Sequence, residues 1–132
     1  MNEKMLSHTE PLELAKEIIN ILYNKKAHNI KLLHVKDQTT ITDYFVICTG
    51  NSNTQIKALA DELDMKTSEK GLPPTSMEGF SEAAWIVMDY ASVIVHIFNR
   101  ESREFYNLEK LWNDSEVVDI EQFIQKEEET NE

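Results

Sequence analysis

Runs of apolar residues along the chain predict a β-sheet whose last two strands form a hairpin. Residues 85–89 and 93–98 are rich in β-branched and aromatic side chains, and only Tyr90, Ala91 and Ser92 separate them. That spacing is typical of two antiparallel strands joined by a short turn. The earlier run 44–48 is apolar at nearly every position, as expected of a central strand that is covered on both faces.

Two segments show apolar residues at helical spacing instead. Residues 10–26 contain Pro11 at their second position, which suits a first helical turn, and repeat apolar side chains every three or four positions. A second helix is expected to end near residue 70, before Gly71. Its start is indicated by Ser52 and Gln55, whose side chains have the spacing to satisfy free backbone N–H groups.

The remaining segments complete a single compact α/β domain with a mixed β-sheet flanked by helices. Residues 30–35 predict a first strand, 75–83 a connector or edge strand, and 100–112 one or two short helices. The apolar residues between Val117 and Ile124 suggest a last helix. We therefore expect three parts, namely a flexible lead-in over 1–9, a folded domain over 10–113 and an acidic C-terminal extension over 114–132, whose end from Lys126 to Glu132 is expected to be solvated.

Charge and composition narrow the classes of partner. The chain has 132 residues and a net charge of −11, and most of that charge lies within residues 114–132. No cluster of Lys and Arg offers a basic face, so little direct contact with nucleic acid is expected, and an acidic protein is better suited to a basic protein partner.

No apolar run approaches the roughly 20 residues of a membrane span. A single cysteine, Cys48, and an N-terminus without a signal pattern favour a cytoplasmic location.

The candidate chemistry is sparse. Gly50, Asn51 and Ser52 form a turn between a strand and a helix that resembles the opening of nucleotidyltransferase folds. Nucleotidyl transfer needs two or three carboxylates converging on metal ions, whereas Asp89 stands alone at a strand end. His34 and His96 each lack a second ligand at metal-binding spacing, so His96 is interpreted as a satisfied sheet histidine. We expect no catalytic residue, metal or cofactor, and keep a nucleotide-binding enzyme using Ser52 and Asp89 as the alternative.

Aromatic residues around the hairpin point to binding instead. Trp85 opens the hairpin and Tyr90 lies at its turn, positions that tend to be partly exposed. Aromatic and methionine side chains on a surface favour protein interfaces. The pattern alone leaves Trp85 open between the core and an interface.

The ordered motifs of this chain resemble those of the ribosomal silencing factors, the Iojap-like family. No one motif is diagnostic, but their order and spacing are highly specific, and they span roughly residues 10–113. The matching blocks are residues 41–52, 55–61, 78–79, 85–90, 93–98 and 103–112.

The resemblance implies a non-enzymatic translation factor with a fold similar to nucleotidyltransferases but without their catalytic carboxylates. Such a factor binds the large ribosomal subunit through its fourteenth protein, blocks subunit joining and represses translation when nutrients are scarce. A homodimer through the same surface remains a further interpretation. The implied partner-binding residues are Trp85, Met88, Asp89 and Tyr90, with Ser92, Val93 and Glu78 beside them and Arg103 and Tyr106 at the rim or in support.

One position departs from the family. Members usually have glycine where this chain has Ala91. If the turn needs a positive φ, Ala91 costs on the order of 1 kcal/mol.

Overall fold

A six-stranded mixed sheet forms the centre of the molecule. The computed structural model describes residues 5–124. Along the sheet the strands follow the order β3-β4-β5-β2-β1-β6, in which only β2 and β5 are parallel neighbours. In chain order the elements are α1 (Pro11–Asn24), β1 (His28–His34), β2 (Tyr44–Thr49), α2 (Asn53–Glu69), β3 (Ser76–Glu78), β4 (Trp85–Asp89), β5 (Val93–Phe98), α3 (Arg100–Tyr106), α4 (Leu108–Leu111) and β6 (Glu116–Val118). This confirms the predicted fold class.

One face of the sheet is covered by α1 and α2. The apolar stripe of α1 that helical spacing predicted is buried there, and β2 is buried along its whole length between β1 and β5. Cys48 belongs to this strand, and burial raises the pKa of its thiol to about 12. A thiol held in its neutral form is a poor nucleophile, so Cys48 serves the packing of β2 rather than chemistry.

The start of α2 is capped as its sequence predicts. The Ser52 hydroxyl accepts a hydrogen bond from the Gln55 backbone N–H at 3.0 Å, and the Gln55 side-chain oxygen accepts from the Asn51 N–H at 2.6 Å. Gly50 precedes this cap, and a Cβ there would lie 2.7 Å from a side-chain carbon of Ile56. The turn therefore depends on a residue without a side chain at position 50.

The packed part of the chain extends beyond both expected bounds. Leu6 is buried, and its backbone N–H donates to the carbonyl of Lys70 at 2.9 Å. At the other end, the helix expected between Val117 and Ile124 is wrong for its first part, where β6 pairs with the outer edge of β1, and only a short 3-10 helix over Glu121–Phe123 forms in the rest. Two adjacent valines suit a strand better than a helix. Residues 1–4 of the expected lead-in and the expected solvated end from Lys126 lie outside the described residues.

Candidate partner-binding surface

The second face of the sheet is only partly covered, by α3, α4 and Trp112. Side chains alternate along β4, so Trp85, Val87 and Asp89 point to this face while Ile86 and Met88 point to the helices. The strand register extends the face across the sheet. We call it the open face and define it by Glu78, Trp85, Val87, Asp89, Ile94 and Tyr106.

The alternation divides the residues predicted to bind a partner. Glu78, Trp85 and Asp89 share the open face, whereas Met88 and Val93 are fully buried in the core beneath α1 and α2. The expectation that Met88 supplies contact area is therefore not met in this conformation, and Val93 likewise has no exposed side chain. Both side chains instead pack the hairpin against the core.

Tyr90 is also buried, contrary to the exposure expected of a turn residue. Only 3% of it is accessible, and its hydroxyl shares a hydrogen bond with the Thr67 hydroxyl of α2 at 2.8 Å. Burial raises the pKa of the phenol well above its ordinary value, despite the hydrogen bond shared with Thr67. The ring leaves the turn toward the helices because the apolar core lies on that side of the sheet.

The hairpin turn has the positive φ that makes Ala91 unfavourable. Ala91 has φ of +71°, and its backbone N–H donates to a carboxylate oxygen of Asp89 at 2.7 Å. Ser92 follows, its N–H bonded to the Tyr90 carbonyl at 2.9 Å. Asp89 thus stabilises the turn, and its carboxylate keeps further lone pairs that can accept hydrogen bonds.

Trp85 is half-buried and fixed by three neighbours. Its indole is stacked on Phe98 with the ring centroids 5.0 Å apart and contacts Tyr106 at 4.6 Å. The indole Nε1–H donates to Nδ1 of His96 at 3.1 Å. Part of the ring remains accessible, so Trp85 belongs both to the packing of the open face and to its surface.

His96 is the residue of this face that sequence reasoning misread. Its Nδ1 accepts from Trp85, but its Nε2 is buried and has no hydrogen-bond partner within residues 5–124. Burial lowers the pKa of His96 to about 4, so the ring is neutral near pH 7 and carries its proton on Nε2. An unpartnered buried donor costs about 1–3 kcal/mol. The expected satisfied histidine is therefore only half satisfied.

Arg103 lies outside the open face and holds the helices beside it in place. Its guanidinium donates to the Asn29 carbonyl, to the Thr49 hydroxyl and twice to the Glu109 carboxylate, over 2.7–3.2 Å. Burial alone would raise the pKa of Glu109, but the hydrogen bonds and charge of Arg103 outweigh it and lower the pKa. These bonds tie α3 and α4 to the ends of β1 and β2, which holds Tyr106 against Trp85.

The structure also shows accessible apolar positions that were not among the residues predicted to bind a partner. Val87 and Ile94 are half-buried on the open face, while Phe105 and Leu111 on α3 and α4 are exposed by 80% and 72%. Strand alternation from Trp85 would have identified Val87. No pattern in the sequence indicated the exposure of Phe105, because a seven-residue helix gives too few positions to define an inner face.

The alternative nucleotide site is not assembled. Register places the Gly50 turn near Phe98 and Trp85, whereas Asp89 lies four residues along β4, about 13 Å away at strand spacing. The Ser52 hydroxyl is used by the helix cap. A groove of about 1030 Å³ beside the turn mixes cations with acids, and Arg103 in it is already bound to Glu109. Within residues 5–124 no three His, Cys, Asp or Glu side chains are grouped to hold a metal ion.

In the described part of the chain, no helix has the length and apolar character needed to cross a membrane.

A family model described as "Ribosomal silencing factor during starvation" matches residues 8–132. The chain belongs to this family.

Individual relatives agree with that assignment. A ribosomal silencing factor of Halalkalibacterium halodurans is 40% identical over 119 residues, covering 90% of this chain and 99% of that protein. The chloroplastic Iojap protein of Arabidopsis thaliana is 29% identical over 111 residues, covering 84% of this chain and 46% of that protein. A crystal structure of a Chromobacterium violaceum protein superposes with a TM-score of 0.77 at 31% identity, covering 80% of this chain and 88% of that one. The family resemblance predicted from the motifs is confirmed.

Proposed function

We propose that this chain binds the large ribosomal subunit, blocks its joining with the small subunit and represses translation under nutrient limitation. Membership of the ribosomal silencing factor family supports the role as a whole. The observation that carries the binding mode is the open face, on which a half-buried tryptophan lies among apolar residues with two carboxylates at the edge. That composition is typical of a protein interface rather than of a catalytic cleft.

The proposed partner is the fourteenth protein of the large subunit. Glu78 is exposed on β3, and Asp89 lies on the neighbouring strand β4, so the open face has an acidic edge. The chain as a whole carries a net charge of −11. Such a surface attracts the Lys and Arg side chains of a ribosomal protein and repels RNA phosphates. Contact with a basic protein and little direct contact with RNA follow from this charge pattern.

The apolar part of the open face would supply most of the binding energy. Trp85 and Val87 lie side by side on β4, and Ile94 continues the patch on β5. Aromatic residues near the centre of an interface contribute more than the polar rim. We assign Trp85 as the anchor, Glu78 and Asp89 as the charged contacts, and Tyr106 as a neighbour that extends the apolar area.

The other predicted site residues have a supporting role in this proposal. Met88, Tyr90 and Val93 hold the hairpin against the core, Ser92 completes its turn, and Arg103 fixes the helices that position Tyr106. Loss of binding after truncation of one of these residues would reflect displacement of the open face rather than loss of a direct contact.

Order-of-addition experiments with separated subunits test the function. We expect the protein to co-sediment with large but not small subunits and to lower the yield of 70S ribosomes when it is added before the small subunit. Glu78→Lys should weaken both effects, because it reverses a charge on the open face. Asp61→Lys is the matched control, since Asp61 is exposed on α2 on the other side of the sheet. Unchanged 70S yield at saturating protein would contradict the proposal.

A second copy of the chain is a competing occupant of the open face. An apolar patch at the end of a sheet is suited to self-association as well as to a partner. Sedimentation of the protein alone decides this point. If Trp85→Ala converts a dimer into a monomer, and large subunits bind a smaller fraction of the wild-type protein at concentrations where it dimerises, the homodimer uses the open face and competes with the ribosome.

A further inference from the structure

The imidazole of His96 makes one hydrogen bond with a described residue, and that bond is to Trp85. His96 is 7% exposed and lies among aromatic rings, with Phe45 edge-on at 4.9 Å and Phe98 stacked at 6.2 Å. An apolar side chain would fill this place without leaving Nε2 unpartnered. What histidine adds over an apolar residue is the acceptor Nδ1, at 3.1 Å from the indole nitrogen of Trp85.

We propose that His96 is a positioning residue that orients the Trp85 indole for binding to the ribosomal partner. The proposal rests on the function proposed above, in which Trp85 is the anchor. Stacking on Phe98 and contact with Tyr106 limit the tilt of the indole, but neither contact distinguishes one edge of the ring from the other. The hydrogen bond to Nδ1 of His96 does distinguish the two edges of the ring, because an indole has a single N–H on one edge.

A fixed orientation matters because binding must otherwise order the ring. A free protein whose anchor already has its bound orientation loses less conformational entropy on association. Removing the acceptor should therefore weaken binding while leaving the anchor present. The loss corresponds to roughly two- to tenfold in Kd, the range expected for one immobilised side chain.

Two substitutions at position 96 separate orientation from stability. His96→Phe removes both the acceptor and the unpartnered donor, so the protein should be as stable as the wild type or more so and yet bind large subunits two- to tenfold more weakly. His96→Asn keeps an acceptor close to the place of Nδ1 but puts a polar amide into an apolar face. The His96→Asn protein should be less stable than the His96→Phe protein, yet it should bind large subunits more tightly than that variant does.

A double-mutant cycle with Trp85→Phe supplies the decisive comparison. Trp85→Phe removes the N–H donor, so His96→Phe should cause no further loss of affinity in that background. The indole N–H resonance gives an independent readout, since the chain has two tryptophans. In His96→Phe the Trp85 signal should shift far more than the Trp112 signal.

The outcomes are distinct. Equal losses of affinity in the wild-type and Trp85→Phe backgrounds would show that His96 acts independently of Trp85 and would overturn the proposal. The proposal would also be overturned if the Trp85 resonance did not shift in His96→Phe. It would likewise be overturned if the affinity of the position 96 variants followed their stability. If the wild-type protein fails to bind large subunits, the proposed function fails and the positioning role with it, whereas binding with equal losses removes the positioning role alone.

Discussion

Trp85 donates its indole N–H to Nδ1 of His96 across two antiparallel strands, at 3.1 Å. The register pairs Trp85 with Phe98 and Val87 with His96, so the two residues are diagonal neighbours on the open face. The bond links the one half-exposed tryptophan of the hairpin to a buried neutral histidine. Under the proposed function, the stability of this face and its binding to a partner are therefore connected through a single side-chain pair.

The stability of the protein should fall in mild acid because of His96. Its pKa is lowered from an ordinary 6.5 to about 4 by burial. A group whose pKa is lowered on folding contributes stability above its unfolded pKa and loses it as the pH falls toward the folded value. Between pH 7 and pH 5 this amounts to about 2 kcal/mol at 1.36 kcal/mol per pKa unit. Urea unfolding at both pH values measures it, and His96→Phe should remove this part of the pH dependence. An equal drop in both proteins would contradict the assignment.

Ala91→Gly should stabilise the protein. Ala91 has φ of +71°, a conformation that costs an L residue roughly 1–2 kcal/mol, whereas glycine adopts it freely. Glycine also gives the unfolded chain more freedom, so the net gain should be about 0.5–1 kcal/mol in urea unfolding. Ala58→Gly within α2 is the control and should destabilise by about 1 kcal/mol. Destabilisation by both changes would mean that the turn does not have this φ in solution.

Gly79→Ala should damage the open face from its edge. Gly79 has φ of +87°, and a Cβ there would lie 2.1 Å from the carbonyl oxygen of Trp85. Because the obstructing atom belongs to the backbone, β3 and the start of β4 must separate. We expect a loss of about 2 kcal/mol or more in unfolding free energy, together with weaker binding to large subunits. A variant of wild-type stability would show that this turn can rearrange without cost.

Tyr90→Phe separates the core role of Tyr90 from a binding role. The change removes the hydrogen bond with Thr67, whose hydroxyl still donates to the Leu63 carbonyl at 2.9 Å. Stability should fall by about 1 kcal/mol, and affinity for large subunits should be unchanged, because the ring is buried. Reduced affinity at full stability would restore Tyr90 as a direct contact.

Local sequence patterns were sufficient for the elements whose signals are local. The helical stripe of α1, the Ser52–Gln55 cap and the hairpin all depend on residues within a few positions of one another, and each is present. By contrast, β6 pairs with β1 across 82 residues, from His34 to Glu116. No pattern within residues 114–124 indicates that the edge of β1 is free to pair with them.

The candidate site shows the same division. Alternation along β4 already puts Trp85 and Met88 on opposite faces. Which of these faces the helices cover is decided by packing between distant segments, so the sequence did not reveal that Met88 and Tyr90 point inward. The orphaned Nε2 of His96 depends likewise on neighbours from β2, β4 and β5. Motif matching proposed this hairpin as the binding site but could not assign its two faces.

The most direct measurement is the affinity of purified large ribosomal subunits for three proteins: the wild type, Trp85→Ala and Met65→Ala. Met65 is 48% exposed on α2, so its truncation removes a comparable apolar contact from the other side of the sheet. If the open face is the binding surface, Trp85→Ala should weaken binding at least tenfold, as expected of a tryptophan anchor, and Met65→Ala should bind like the wild type. Wild-type affinity in a folded Trp85→Ala protein would contradict the assignment of the open face as the ribosome-binding surface.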